Sequence, residues 1–166
     1  MTTRRQFITL LGGAAATWPV VARGQQQAKL PVIGFLGATN AATAKSWVTA
    51  FEQRLGELGW HNGRTVVIAY RWADGRVDRA TELVAELVAQ KVDIIVTYNT
   101  PVIAVAKRTT STIPIVFALG ANPVVSGLVA SLNRPGGNVT GLATAHADLI
   151  GKKFELMREV DPRLVR

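Results

Sequence analysis

Short apolar segments alternate with amphipathic segments along the chain from about residue 31 onward. The apolar segments are rich in Val and Ile and are bounded by Gly, Pro or Asn, a pattern typical of buried strands. They predict five strands, at residues 31–36, 65–72, 93–98, 113–119 and 138–143. The segments between them predict helices at residues 41–58, 76–90, 100–107 and 148–160, with a helical or turn segment at 123–132.

Two details support the helices. Apolar side chains at helical spacing form one stripe on the first of them: Trp47, Phe51, Leu55 and Leu58. Thr100 and Pro101 indicate where the third begins, because threonine caps free backbone N–H groups and proline is favoured at the first helical position. Strands alternating with helices build βαβ units, so the fold class predicted is α/β, a doubly wound parallel sheet with helices on both faces.

In such sheets, ligands bind outside the carboxyl ends of the strands. Polar residues follow three of the predicted strands there: Thr39 and Asn40, then Tyr98, Asn99 and Thr100, then Asn122. A helix start favours an anion. We therefore expect the two threonines to bind a solute carboxylate, the amides of Asn99 and Asn122 to bind other polar groups, and Tyr98 to stack on an apolar part.

His146, after the fifth strand, is predicted to be a polar loop residue near the ligand rather than a general base. For every residue of this set the alternative remains that it only caps a helix or forms a turn.

Several kinds of chemistry lack their sequence signals. The chain has no cysteine, and its two histidines, His61 and His146, have no carboxylate at ligand spacing, so we predict no metal site. The loop at residues 37–40 is not a dinucleotide fingerprint, and neither a phosphate loop nor a nucleophile elbow occurs. The prediction is a protein that is not an enzyme and has no cofactor. The formal net charge of +8 is scattered, without a basic run interleaved with aromatics, so nucleic acid is not an expected partner.

Residues 1–24 are predicted to be a leader. Arg4 and Arg5 precede a weakly apolar stretch, residues 7–21, which ends in Ala22-Arg23-Gly24, small residues at the positions of a cleavage site. The pattern resembles a twin-arginine export signal, so we expect a periplasmic protein whose mature chain does not span the membrane. The alternative is an N-terminal membrane anchor. Proteins exported by the twin-arginine route often hold redox cofactors, so an enzyme with a bound cofactor is an alternative function.

Several segments together resemble one family. They are VIGFLG at 32–37, FEQRLGELGW at 51–60, NGRTVVIAYRWADGRVDR at 62–79, IPIVFALGANPV at 113–124, GLVASLNRPGGNVTG at 127–141 and GKKFELMREV at 151–160. The chain resembles the ABC-transporter substrate-binding proteins that include tryptophan- and tyrosine-type binding proteins. This chain differs from those relatives at three places. Relatives usually carry glycine in place of Asn99 and commonly carry aspartate in place of Asn122. The loop at residues 37–40 lacks the proline often found there.

The resemblance implies a two-lobed periplasmic-binding-protein fold that traps a small solute, an amino acid or similar carboxylate, between its lobes. The closed form would then deliver the solute to an ABC permease. Residues 25–145 would form the N-terminal lobe, and residues 146–166 a crossover helix belonging to a missing second lobe. In this reading Ile150, Phe154 and Met157 lack their packing partner. Alternatives are a ligand-sensing lobe of a signalling system, or a truncated fragment without function.

Overall fold

The computed structural model describes residues 29–144 and 146–161, with the side chains of residues 146–148 left out. The predicted leader therefore lies outside the described residues. The strands are β1 (Val32–Gly37), β2 (Val67–Trp72), β3 (Ile94–Thr97), β4 (Ile115–Ala121) and β5 (Val139–Thr144). The helices are α1 (Ala41–Glu57), α2 (Val77–Ala89), α3 (Thr100–Thr109) and α4 (His146–Val160). The segment at 123–132 consists of turns and bends.

All the strand pairs are parallel, and the sheet order is β2-β1-β3-β4-β5. The predicted α/β fold class is confirmed. Because every strand runs the same way, all their carboxyl ends lie at one edge of the sheet. The order reverses between β1 and β3, which is where doubly wound sheets open a crevice for ligands.

One face of the sheet is covered by α2 and α3. Right-handed crossovers put these two helices on the same face, and α1 on the other. The largest side chains on the covered face are fully buried: Leu36, Leu87, Ile95, Ile103, Ile115 and Phe117. Thr97 is buried among them, and its hydroxyl donates to the Leu36 carbonyl oxygen at 2.8 Å. The polar group therefore carries no unsatisfied hydrogen-bonding cost.

The opposite face is covered only in part. Phe35 packs on Phe51 of α1, with ring centroids 5.5 Å apart. The α1 stripe is correct for Phe51 and Leu55, which pack against the core. Trp47 lies on the same side of α1 and contacts the Tyr98 ring, but it is 56% exposed. Leu58 is the C-cap residue, just beyond the helix, and is 59% exposed.

Beyond α1 the same face is open over β4 and β5 in the part of the chain that the structure describes. Leu119 on β4 is 50% exposed and Leu142 on β5 is 71% exposed. Large apolar side chains at such exposure forgo on the order of 1 kcal/mol each of burial free energy. Parallel sheets are normally covered on both faces, so we expect another segment or protein to pack on this open face.

Helix α4 leaves the sheet at the carboxyl end of β5. Every side chain described in it, from Leu149 to Val160, is exposed. Ile150 and Met157 are about half exposed, and Phe154 is 61% exposed. Each of the three therefore leaves about half or more of its surface exposed in the part of the chain that the structure describes. Their assignment to a second lobe stays a prediction.

The segment SLNRPGGNVTG begins near the ligand-side edge, where Leu132 lies close to Asn122 and Thr144, and it reaches the amino end of β5 at Asn138. The Asn138 side-chain amide donates to the carbonyl oxygens of Thr110, at 3.0 Å, and Ile113, at 2.8 Å, and so ties the start of β5 to the loop before β4. A Cβ added at Gly141 would lie 2.0 Å from the Phe117 carbonyl oxygen. Glycine is required there because β5 lies against β4 and Phe117. This segment therefore has a structural role.

No helix among the described residues is long and apolar enough to cross a membrane.

A pair of glycine substitutions tests this packing. Gly141→Ala forces β5 away from Phe117, and we expect it to lower the free energy of unfolding by about 1–3 kcal/mol or more. Gly151→Ala is the matched control, because Gly151 is helical and nothing lies within 4 Å of its added Cβ. It should raise stability by about 0.5–1 kcal/mol. Urea unfolding followed by circular dichroism measures both, and equal effects would contradict the packing described.

Candidate ligand-binding site

Three segments meet at the carboxyl edge of the sheet, and we call them the ligand rim: residues 38–40 after β1, residues 98–100 after β3, and residues 121–123 at the end of β4. Hydrogen bonds join each to its neighbour. The Thr39 and Tyr98 hydroxyl oxygens are 2.9 Å apart. The Ala121 N–H donates to the Thr100 hydroxyl oxygen at 3.0 Å. The structure thus brings the predicted loops together on one side of the lobe.

In the first loop, Asn40 caps α1. Its side-chain oxygen accepts a hydrogen bond from the Thr43 N–H at 2.9 Å. This is the capping role that the sequence left open for Asn40, and it satisfies one of the free N–H groups at the start of α1. The Asn40 side chain therefore already provides a hydrogen-bond acceptor at the amino end of α1.

Tyr98 is a buried anchor of the rim. It is 8% exposed, and its hydroxyl oxygen lies 3.4 Å from the Thr39 backbone nitrogen, which donates to it. Either hydroxyl can be the donor in this pair. When the Tyr98 hydroxyl donates to the Thr39 hydroxyl oxygen, the hydrogen of the Thr39 hydroxyl can be donated to a ligand. One edge of the Tyr98 ring meets Trp47 in a T-shaped contact, with centroids 5.5 Å apart.

The second loop, after β3, leaves the start of α3 without a side-chain cap. Asn99 occupies the N-cap position with φ of 75° and makes no side-chain capping bond. The expectation that Thr100 caps this helix is wrong. Thr100 is already the first helical residue, and its hydroxyl oxygen accepts from the Ala121 N–H at 3.0 Å. A hydroxyl that accepts can still donate, so its hydrogen remains available to a ligand.

The loop after β4 presents the last predicted amide. Asn122 is partly exposed, has φ of 42°, and uses its backbone oxygen to accept from the Ser126 N–H at 2.9 Å. The side-chain amides of Asn99 and Asn122 form no hydrogen bond with any other described residue. His146 is the first residue of α4, but its side chain lies outside the description.

Sequence reasoning missed an apolar groove beside the rim. The groove has a volume of about 360 Å³ and lies between α1 and the open sheet face. Its lining residues are aromatic or aliphatic apart from Thr97: Phe35, Trp47, Phe51, Val96, Tyr98, Ala118 and Leu119. The available signal was Trp47, a large aromatic residue on the same helical stripe as Phe51, which also lines the groove. The groove shares Tyr98 with the rim.

The carboxylates nearest the rim are paired with arginines. Asp74, in the loop after β2, forms an ion pair with Arg79. The Arg76 side chain donates a hydrogen bond to Asp78 and is the main reason that the pKa of Asp78 falls to about 2. Asp78 therefore remains charged at neutral pH, and each of the two carboxylates is compensated by an arginine. Within the described residues, no cluster of three or more His, Asp or Glu could hold a metal ion.

A five-stranded parallel sheet of this order, with polar loops at one edge, is the α/β architecture of substrate-binding proteins. The family described as ABC transporter substrate binding protein matches residues 29–166. The chain belongs to this family, which confirms the resemblance seen in the sequence.

The relatives carry more specific names. A tyrosine-binding protein of Clostridioides difficile is 32% identical over 113 residues, which are 68% of this chain and 32% of that protein. The ligand-free, open structure of a substrate binding protein with adhesive properties from Clostridium difficile has a TM-score of 0.65 and 25% identity, covering 75% of this chain and 43% of that one.

Two further solved structures are similar. An ABC domain in complex with L-Trp from Streptococcus pneumonia has a TM-score of 0.64 and 26% identity, covering 69% of this chain and 38% of that one. A conserved domain protein from Vibrio cholerae has a TM-score of 0.70 and 26% identity, covering 81% of this chain and 45% of that one. The chain thus spans about a third of the tyrosine-binding relative and less than half of each structure.

The backbone at Asn99 gives a test that separates conformation from side-chain chemistry. Positive φ is costly for any residue with a Cβ, by roughly 1–2 kcal/mol in the left-handed region. We expect Asn99→Gly to raise the free energy of unfolding by up to about 1 kcal/mol, and Asn99→Ala to lower it, in urea unfolding experiments. A glycine variant less stable than the alanine variant would contradict the conformation described.

Proposed function

We propose that the chain is the solute-capturing lobe of an extracytoplasmic binding protein of an ABC importer, and that it binds a small carboxylate, foremost an aromatic amino acid, at the ligand rim. The single observation that carries the proposal is the uncapped start of α3, framed by hydroxyls and amides at the sheet edge where such folds bind ligands. The non-catalytic role and the absence of a cofactor are parts of the same proposal.

The solute carboxylate is assigned to α3 rather than to α1. Both helices begin at the rim, but Asn40 already supplies an oxygen to the start of α1. In the first turn of α3, Pro101 has no N–H, and the N–H groups of Thr100 and Val102 have no side-chain acceptor; the helix dipole favours an anion there by typically 0.3–1 kcal/mol. A carboxylate at this position would also accept from the Thr100 hydroxyl, and from the Thr39 hydroxyl across the rim.

The rest of the solute would lie against the other rim residues. Asn99 and Asn122 carry side-chain amides that no described residue engages, and each offers both a donor and an acceptor to an amino group or hydroxyl. Tyr98 and Trp47 form an aromatic wall on the groove side of the rim. A tyrosine-binding relative and a relative in complex with L-Trp support an aromatic amino acid as the solute.

Delivery to a permease and the route of export belong to the same proposal. ABC transporter substrate-binding proteins work outside the cytoplasm. The twin-arginine leader at residues 1–24 would carry the folded lobe there, and removal of the leader after Gly24 would leave a mature chain starting at Gln25. Residues 25–145 would then form the lobe, with α4 crossing toward a second lobe.

Isothermal titration calorimetry with paired solutes tests the carboxylate assignment. We expect L-tyrosine or L-tryptophan to bind the exported protein, and tyramine or tryptamine, which lack the carboxylate, to bind at least tenfold more weakly. Ten-fold corresponds to about 1.4 kcal/mol, within the range for a hydrogen-bonded charge. Equal binding of the amine and the amino acid would contradict a carboxylate site at α3.

A matched pair of threonine variants tests the residue. Thr100→Val removes the hydroxyl that faces the solute and the acceptor for the Ala121 N–H, so affinity should fall about tenfold or more, with a stability loss of about 0.5–1.5 kcal/mol. Thr81→Val is the control, because Thr81 is an exposed threonine on α2 whose hydroxyl donates only within its own helix. Unchanged affinity in Thr100→Val would remove Thr100 from the site.

A further inference from the structure

A fourth loop lies at the carboxyl edge of the sheet beside the ligand rim, and the proposed function does not use it. We call it the β2 loop, residues 73–76, between the end of β2 and the start of α2. Its backbone is joined to the first rim segment. The Gly75 N–H donates to the Ala38 carbonyl oxygen at 2.8 Å, and the Asp74 N–H donates to the Thr39 carbonyl oxygen at 3.4 Å. The β2 loop therefore extends the ligand rim by one strand.

The β2 loop brings a charged side chain to this edge. The Asp74 carboxylate forms an ion pair with the Arg79 guanidinium. Arg79 lies in the first turn of α2, which begins at Val77, directly after the loop. The Asp74 and Arg79 side chains are 40% and 45% exposed, so the ion pair lies at the carboxyl edge and can be reached by a solute.

The charges in this corner of the lobe are balanced. Arg76 pairs with Asp78 as Arg79 pairs with Asp74, so the four side chains leave no net charge to attract an ammonium group or a second carboxylate. An ion pair still offers hydrogen bonds to a neutral group, because a carboxylate has several acceptor positions and a guanidinium has several N–H groups. The pair therefore suits a neutral hydroxyl, which can donate to Asp74 and accept from Arg79.

The distance between this pair and the start of α3 selects the length of the solute. The sheet order β2-β1-β3 puts one strand between them, so the ends of β2 and β3 lie about 10 Å apart. With bonds of about 1.5 Å, the carboxylate carbon and the phenol oxygen of an extended tyrosine lie roughly 8 Å apart. A solute of this length can lie across the end of β1 and touch both places.

The ring of such a solute would cross the part of the rim where Thr39 and Tyr98 meet. Their hydroxyl oxygens are 2.9 Å apart, so the Tyr98 side chain leans from the end of β3 toward the end of β1. The Trp47 ring contacts the Tyr98 ring there, with centroids 5.5 Å apart. The aromatic wall of the proposed function thus lies beside the line from α3 to Asp74.

We propose that the Asp74–Arg79 pair determines the specificity of the site, and that it selects a 4-hydroxyphenyl amino acid over the analogue with an unsubstituted phenyl ring. This inference rests on the proposed function, because it places the solute carboxylate at the start of α3. A phenyl ring in the same position would displace water from the pair and would not replace its hydrogen bonds, which costs affinity.

Isothermal titration calorimetry with L-tyrosine and L-phenylalanine tests the selectivity. The two solutes differ by one hydroxyl, so contacts made elsewhere in the protein cancel in the ratio of their affinities. We expect the exported protein to bind L-tyrosine at least tenfold more tightly, because L-phenylalanine loses a hydrogen bond to a charged group. Equal affinities overturn this inference and leave the proposed function standing. Binding of neither solute contradicts the proposed function and this inference with it.

A matched pair of aspartate variants tests the residue. Asp74→Gly removes the carboxylate and keeps the turn, because φ of 52° at this position suits glycine best. Asp78→Ala is the control, since it removes the other arginine-paired carboxylate of this corner. We expect the tyrosine-to-phenylalanine affinity ratio to fall to near one in Asp74→Gly, with phenylalanine affinity unchanged, and to stay at least tenfold in Asp78→Ala.

The affinity ratio separates a selective role of Asp74 from a structural one. A loosened loop would lower both affinities together and leave their ratio as it was. A ratio that stays tenfold in Asp74→Gly therefore overturns the assignment, and so does an equal fall of the ratio in both variants. Circular dichroism checks that each variant is folded.

Discussion

Parallel strand pairing is the constraint on which the rest of the structure depends. It places every strand's carboxyl end at one edge, so residues far apart in sequence, such as Thr39, Asn99 and Asn122, become neighbours without any contact designed between their side chains. It also demands cover on both sides of the sheet, because a parallel sheet is hydrophobic on both. In this chain all five strands are parallel, so all their carboxyl ends lie at one edge. The sheet is covered by α2 and α3 on one face and only in part by α1 on the other.

The strands and helices could be predicted from the sequence because local composition decides them. Val- and Ile-rich segments became strands within about two residues, and the helices began near the expected residues. The extent of burial along the α1 stripe was harder to predict, since Phe51 and Leu55 pack against the core while Trp47 stays 56% exposed at the edge of the groove, and helical spacing alone does not distinguish them. Thr100 was misjudged for a similar reason. Its hydroxyl has two possible acceptor roles, and the choice is made by Ala121, which lies on another strand.

In the segment SLNRPGGNVTG, which is part of the family resemblance, Asn138 and Gly141 lie away from the ligand rim. Asn138 and Gly141 solve packing problems at the start and in the middle of β5, where a backbone link and a missing Cβ are needed whatever the ligand is. Residues with such roles identify the fold and say little of the solute. Asn99 and Asn122, by contrast, have side-chain amides without a hydrogen-bond partner among the described residues, and they are the residues that the sequence predicts to differ from relatives. The residues that fix the packing of β5 and those proposed to select the solute are therefore different residues.

Asn99 and Asn122 share a backbone feature. Both positions have positive φ, at 75° and 42°, a conformation for which glycine is best suited and asparagine is among the next best tolerated. Glycine at position 99 would avoid the conformational cost but would bring no side-chain amide to the start of α3, which has no side-chain cap. The rim's chemistry thus follows from a backbone geometry set by the sheet, and its selectivity from the side chains that this geometry tolerates.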